Sequence, residues 1–261
     1  MLRSLSNSAS GLASFGQKVD VVAHNLANIN TVGYKKQRVT FAEMFYQSLA
    51  RPGLPVNQDS PHGKEVVQGG GVKVGDISRE FGQGSLVGTG RSLDFAVQGP
   101  GFFEVELPDG SLAYTRNGSF SLDGDQYLVT AQGYRLTAPI TIPPGFSEIV
   151  VGPSGSVTGK NEEGMVEELG FIPLYLFDNP AGLEAKGENL FLSTEASGFP
   201  LEGQAGREGY GQIKQGFIEL SNVYLAEEMT ELIGAQRAYQ FNSRALQTAD
   251  EMWSLANNLR R

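Results

Sequence analysis

Apolar residues recur every seven positions at both ends of the chain. Near the start, Leu5, Leu12, Val19 and Leu26 form one column, and Ser8, Phe15, Val22 and Ile29 form a second, three residues on. Such a heptad seam predicts an amphipathic helix over residues 1–30. The small residues Ala9, Gly16 and Ala23 lie beside the seam. Gly11 and Gly16 each weaken an isolated helix by roughly 1 kcal/mol, so this helix needs a partner. Towards the other end, Leu225, Leu232, Tyr239, Leu246 and Trp253 recur at seven, with Ala235, Asn242, Ala249 and Ala256 as the neighbouring column. The spacing predicts a second helix over about 221–259, with Ser221 as its N-cap and Asn222 as the other candidate. Glu227, Glu228 and Glu231 near its start, and Arg260 and Arg261 at its end, suit the helix dipole.

The middle of the chain changes period. Val72 to Val74 and Phe103 to Leu107 alternate, as half-buried strands do. Pro108-Asp109-Gly110 turns the chain back into Leu112–Thr115, a hairpin pattern. Asn117-Gly118 and Asp123-Gly124-Asp125 are further turns, followed by a strand at Tyr127–Thr130. Ile140–Ile142, Glu148–Val151 and Leu174–Phe177 read as more short strands. Turns this closely spaced point to an antiparallel barrel or sandwich. The predicted architecture is mainly β with terminal α-helices. A β body over 71–217 is inserted between a helical domain formed by 1–30 and 221–261, whose two helices pair like a coiled coil. Residues 31–70 and 218–220 read as linker, and the aperiodic Pro- and Gly-rich stretch 47–70 as an extended arm. Each helix would be roughly 45–60 Å long, at ~1.5 Å per residue. One pair alone leaves apolar surface uncovered, which implies association with other chains.

Composition narrows the chemistry. The chain has 261 residues and a net charge of −9, with no basic cluster larger than Tyr34-Lys35-Lys36-Gln37-Arg38, against a nucleic-acid partner. It has no cysteine and two histidines, which excludes thiolate and multi-histidine metal sites. The most apolar run, Phe171–Phe177, is too short to span a membrane, so no membrane insertion is expected. The first residues are too rich in Ser, Gly and Asn for a cleaved signal peptide.

The candidate catalytic features have simpler readings. Gly82, Gly84, Gly88 and Gly90 lack the strand–glycine–helix context of a phosphate cradle and read as turn glycines. Asp123-Gly124-Asp125 lacks the rest of a calcium loop. His24 has no nucleophile or orienting group in its pattern. Glu162-Glu163 and Glu167-Glu168 could suggest glycosidase carboxylates, but adjacent acids in a Gly-rich loop read as solvated surface. No cofactor is expected, and the reading is of a protein that is not an enzyme.

The segment Asn25-Leu-Ala-Asn28-Ile-Asn30-Thr-Val-Gly33-Tyr34-Lys35 resembles the signature of the flagellar rod and hook family, in which a first helix ends in an Asn-rich turn followed by Gly-Tyr/Phe-Lys. Asn28 and Asn30 can bond their own backbone and tolerate left-handed geometry, and Gly33 adds a permissive position. Asp94–Phe103, Tyr114–Phe120, Leu128–Tyr134, Gly187–Leu190, Gln215–Val223 and Glu228–Tyr239 resemble further blocks of the family, in the same order. Chain length, the Pro139–Pro143 and Gly182–Glu184 blocks, and the arm after Tyr46 look most like members of the distal, straight part of the rod. Hook and proximal rod subunits are the alternatives within the family. Outside it stand a soluble binding module with helical oligomerisation arms and, more distantly, a cell-wall hydrolase.

The resemblance implies a structural subunit that passes the flagellar type III export apparatus without a cleaved leader. It would polymerise with itself in the basal body across the periplasm and transmit motor torque to the hook, with proximal rod, hook and L- and P-ring proteins as the implied partners. The residues expected to carry assembly are Leu5, Leu12, Phe15, Val19, Val22, Leu26, Leu225, Leu232, Tyr239, Leu246 and Trp253.

Overall fold

The computed structural model describes residues 2–48, 67–138, 140–143, 146–161, 165–207 and 209–258. Most of the expected arm therefore lies outside the described residues, as do Glu162, Glu163, Arg260 and Arg261. The chain forms two compact units. The first comprises Met1–Leu26, Gln37–Ser78 and Leu225–Arg261, the second Ala27–Lys36 and Arg79–Tyr224.

The first unit holds both helices, α1 (Leu2–Ala27) and α2 (Leu225–Asn258). They run antiparallel. Asn25 bonds Glu228 at 3.1 Å, Lys18 pairs with Glu231 at 3.1 Å, Gly16 faces the Tyr239 ring, and Gly11 faces Asn242. The two glycines that weaken α1 in isolation are thus places where α2 side chains come close. A Cβ at Gly11 would stand 3.0 Å from the Asn242 amide. On α2 the buried positions are Glu228 and two small residues, Ala235 and Ala249, which let the helices approach. Neither Ser221 nor Asn222 caps α2, which begins later, at Leu225. Ser221 Oγ instead accepts from the Val223 amide, and Asn222 Oδ1 from the Lys36 amide.

Strand β1 (Gln37–Glu43) pairs with β4 (Val72–Arg79) in the same unit. Between them in sequence, β2 (Gln47–Ser48) pairs with β3 (Val67–Gln68). Two serines on α1 hold this ribbon: Ser14 Oγ donates to the Val72 carbonyl and Ser10 Oγ accepts from the Val72 amide, both at 3.3 Å. Phe15 meets Phe41 with ring centres 5.5 Å apart.

The second unit is antiparallel β throughout its described pairings. Its strands are β5 (Leu86–Gly88), β6 (Phe95–Gln98), β7 (Phe103–Glu106), β8 (Leu112–Thr115), β9 (Phe120–Leu122), β10 (Leu128–Thr130) and β11 (Arg135–Leu136). They continue with β12 (Phe146–Val151), β13 (Ser156–Asn161), β14 (Val166–Phe171), β15 (Pro173–Leu176), β16 (Glu184–Gly187), β17 (Leu190–Leu192), β18 (Leu201–Gln204), β19 (Gln212–Gln215) and β20 (Phe217–Glu219). The largest sheet has the order β16-β17-β8-β7-β11-β10-β9. Its outer strands do not pair with each other, so it stays open and no closed barrel forms among the described residues.

The β7–β8 hairpin turns as its sequence predicts. Gly110 takes a positive φ of 76°, and Asp109 Oδ1 accepts from the Ser111 amide. One core cluster gathers Phe95, Val97, Phe103, Val105, Phe120, Ile172, Leu174 and Ile213. A second gathers Phe102, Tyr114, Tyr175, Phe177 and Phe191. Because both clusters lie against β7, its alternation marks a wet position at Glu106 but not at Glu104. Glu104 is buried and accepts the Tyr114 hydroxyl at 2.9 Å. Ile140–Ile142 is not a strand: its two isoleucines are buried as anchors of an irregular segment, where Ile142 donates to the Gln126 carbonyl. Proline at 143 removes a ladder donor there.

Replacing Phe103, which has no solvent exposure, with Ala should destabilise the second unit by about 3–5 kcal/mol, through lost burial and a cavity. Urea unfolding followed by near-ultraviolet circular dichroism would measure the loss. A change under 1 kcal/mol would mean that the first cluster is not the core of this unit.

Candidate functional site

The most constrained polar site lies in the second unit, where the turn after α1 meets the segment that precedes α2. Thr31 donates from its amide to the Asn28 carbonyl and from its hydroxyl to Asn28 Oδ1, both at 3.1 Å. Asn28 thus closes the turn with its side chain, as an Asx residue does. The left-handed position falls elsewhere than the asparagines: Gly33 has φ +71°, and Asn28 and Asn30 are not among the positive-φ residues. A Cβ at Gly33 would sit 2.7 Å from the Asn117 amide nitrogen. Glycine is therefore required here twice, by conformation and by space.

Beyond Gly33 the chain is buried. Tyr34, Lys35 and Lys36 are all shielded from solvent. Lys35 Nζ donates to Glu219 Oε1 at 2.7 Å and to the Gly82 carbonyl at 2.9 Å. Glu219 also accepts from the Gly84 amide at 2.8 Å and from Arg116 Nη1 at 3.4 Å. Backbone bonds run alongside: Gly33 donates to the Glu219 carbonyl at 2.8 Å, and Lys36 to Asn222 Oδ1 at 2.7 Å. Asn222 in turn donates to the carbonyls of Glu80 and Gly82, and Asn189 to that of Val32. Burial pushes the Lys35 ammonium below its ordinary pKa; Glu219 opposes that shift and Arg116 adds to it. Burial also lowers Arg116, again against Glu219.

Asn25 forms a separate knot in the first unit. Its side chain donates to the Gln37 carbonyl at 2.8 Å and accepts from the Gln37 amide at 2.9 Å, bonding both polar groups of one residue. It also donates to the fully buried Glu228. This knot joins the end of α1, the start of β1 and the first turn of α2. Asn30 is exposed.

The expected assembly residues divide by helix. On α1, Val22 is buried, and Leu5, Leu12, Phe15, Val19 and Leu26 are half-buried. On α2, Leu232 and Leu246 are half-buried, whereas Leu225, Tyr239 and Trp253 are exposed at 51%, 44% and 47%. Met229, Ile233, Phe241, Met252 and Leu255 are exposed too. Within one chain, α2 thus carries far more large apolar surface than α1 covers.

Residues 5–35 match the family model described as flagella basal body rod protein, residues 96–159 the flagellar hook protein FlgE/F/G D1 domain, and residues 214–259 the flagellar basal body rod FlgEFG protein C-terminal. Over the whole length of both chains, the protein is 43% identical to the flagellar basal-body rod protein FlgG of Borreliella burgdorferi. It is 41% identical to FlgG of Caulobacter vibrioides, over 99% of this chain and all of that one. The chain belongs to the FlgG family of flagellar basal-body rod proteins. A more distant relative, the flagellar hook-basal body complex protein FlhP of Bacillus subtilis, is 30% identical over both full lengths. FlgG-family membership makes this a structural component of the flagellar basal body.

The three matched regions meet in the clamp: Lys35 lies in the first, Arg116 in the second and Glu219 in the third. The sequence pattern pointed to Lys35 but not to its partners. Glu219 sits in a short strand with nothing local to mark it as buried. The only available signal was indirect, since a lysine beside a left-handed glycine and a tyrosine in a buried run needs a carboxylate somewhere.

Lys35→Ala should cost about 3–5 kcal/mol, because it leaves the buried Glu219 carboxylate with the longer Arg116 contact as its one ion pair and the Gly84 amide as its other donor. The double variant Lys35→Met/Glu219→Leu should recover part of that loss, since it removes both buried charges. Urea midpoints of the second unit would decide. A single variant as stable as the parent would mean that the ion pair does not hold the turn.

Proposed function

We propose that this chain is a structural subunit of the distal rod, polymerising through its helices into a stiff helical tube that transmits motor torque to the hook. The observation that carries this reading is the set of large apolar side chains that α2 leaves exposed. Leu225, Met229, Ile233, Tyr239, Phe241 and Trp253 remain in solvent while the helix is already paired with α1. A monomer that exposes this many large apolar side chains along a helix of 34 residues is incomplete, since exposed apolar surface of this extent marks association. A heterologous contact that does not close on itself generates a helical polymer. Burying this surface offsets the ordering cost of the helix ends, about 1–2 kcal/mol per residue for the backbone.

In this reading, Leu5, Leu12, Phe15, Val19, Val22 and Leu26 stabilise the helix pair, and Leu225, Leu232, Tyr239, Leu246 and Trp253 join it to its neighbours. The first unit forms the inner tube and the β-rich second unit the outer layer, with the segment around 47–64 bracing adjacent subunits. Asn25, Asn28, Gly33, Tyr34 and Lys35 set how the chain leaves α1. Subunits travel through the flagellar export channel, and the tube's neighbours are the proximal rod, the hook and the L- and P-ring proteins. The task is mechanical, and no reacting group is assigned.

Leu246→Asp should leave the second unit folded by circular dichroism yet abolish polymer in sedimentation and negative-stain microscopy. Normal rods from this variant would remove the α2 face from the assembly. Deleting residues 47–64 should yield a polymer that bends, whereas a tube that stayed straight would withdraw the bracing role. Immunogold labelling of purified basal bodies with an antibody to the second unit tests location. Label along the straight shaft near the outer rings is the expected result; label on the curved segment would reassign the subunit to the hook, and label near the inner membrane to the proximal rod.

A further inference from the structure

The second unit contains a cavity of about 330 Å³ whose lining includes Phe81, Phe102, Phe177, Pro180, Gln83 and Arg116. Three aromatic rings form an apolar wall: Phe102 stands edge-on to both Phe81 and Phe177, with centres 5.5 and 5.8 Å away. Gln83 is already committed, donating to the Val97 carbonyl and accepting from the Gly99 amide. Arg116 has capacity to spare.

The hydrogen bonds of Arg116 both run through Nη1, to the Gly99 carbonyl at 2.8 Å and to Glu219 at 3.4 Å. Its Nε is buried without a partner. The guanidinium carbon lies 5.1 Å from the centre of the Phe102 ring, which stiffens its position. The edge of an arginine formed by Nε and Nη2 is the fork that binds a carboxylate through two parallel hydrogen bonds. Charge argues the same way. Lys35 and Arg116 bring two positive charges to one carboxylate, Glu219, and their ion pairs among the described residues are with Glu219 alone. An incoming carboxylate would balance the group and satisfy the buried donor, while an apolar side chain beside it would fill the aromatic wall.

We propose that this cavity is a socket for a carboxylate-bearing apolar segment of a second copy of the chain, and that the segment is Met165–Glu168. The proposal rests on the polymer reading for its occupant and adds a contact between β units to the one between helices. Met165 and Val166 are 63% and 70% exposed, and Glu167 and Glu168 follow them in solvent, without an ion pair among the described residues. Val166–Glu168 are the first residues of β14, paired on one side with β13; the sheet has the order β12-β13-β14, so among the described residues the other edge of β14 is unpaired and can lie against a neighbour. Large apolar side chains next to uncompensated carboxylates match what the socket lacks. The adjacent acidic pair thus gains a role as an assembly ligand.

The test has two arms. First, a capped peptide with the sequence of residues 165–171 is titrated into the full-length chain, and the Arg116 Nε–H resonance is followed by ¹⁵N NMR. A saturable shift is expected, with affinity falling about tenfold or more when the peptide carries Glu167→Gln and Glu168→Gln, the scale expected for a lost charge-assisted pair. These peptide changes leave the protein untouched, so a folding defect cannot produce the loss. Absence of a saturable shift, or equal binding of both peptides, overturns the socket.

Second, the chain contains no cysteine, so Pro180→Cys combined with Met165→Cys reports one intermolecular contact cleanly. Oxidised polymer should give a disulfide-linked ladder on a non-reducing gel, and either single variant should not. Polymer that forms without the ladder overturns this contact and leaves the rod reading standing. Peptide binding by a chain that never polymerises overturns the rod reading and leaves the socket in place.

Discussion

The carboxylate of Glu219 is the group around which the second unit closes. Lys35, Arg116 and the Gly84 amide all donate to it, and the backbone carbonyl of the same residue takes the amide of Gly33. The donors come from three different parts of the sequence, around Gly33 and Lys35, at Gly84 and at Arg116, each about one hundred residues or more from Glu219. Removing a charged group from water is costly, and the cost is recovered only when all partners arrive in good geometry. The clamp is therefore an all-or-none feature. The turn after α1 cannot bury Lys35 unless the segment before α2 is already in place, and that coupling binds together chain regions that three separate family models describe.

The helices follow a different logic. Their pairing uses small side chains: Gly11 and Gly16 on α1, Ala235 and Ala249 on α2. Small residues permit close approach but bury little area, so the pair gains packing without consuming its large apolar groups. Tyr239, Phe241, Trp253 and their neighbours stay exposed. For the polymerising subunit proposed above, this division is useful. The contact within the chain remains modest, and in that proposal the larger hydrophobic gain comes on assembly.

Much of this was legible along the chain because the relevant periods are local. A heptad column survives any tertiary context, and both helices lie where their columns predicted. Closely spaced Gly, Asn and Asp residues marked the hairpins, since a left-handed or Asx turn depends on the residues in it; Gly110 with Asp109 and Gly33 with Asn28 are instances. The failures share one cause. Ser221 and Asn222 have the chemistry of N-caps, but competing partners, the Val223 and Lys36 amides, claimed their oxygens. Ile140–Ile142 has strand composition, yet its isoleucines serve as core anchors in an irregular segment. Glu104 alternates with apolar residues as a solvent-facing position would, but a second aromatic cluster covers that face.

By itself, then, the sequence determined the element types, the mainly β body between terminal helices, and the family, because periodicity, turn chemistry and ordered motifs are properties of neighbouring residues. Only the tertiary structure decided which carboxylate neutralises Lys35, which face of α2 meets α1, and which arginine donor is left without an acceptor. Those outcomes depend on where distant segments meet. Burial and charge pairing are set by the sum of the surroundings in space, and no spacing along the chain encodes that sum.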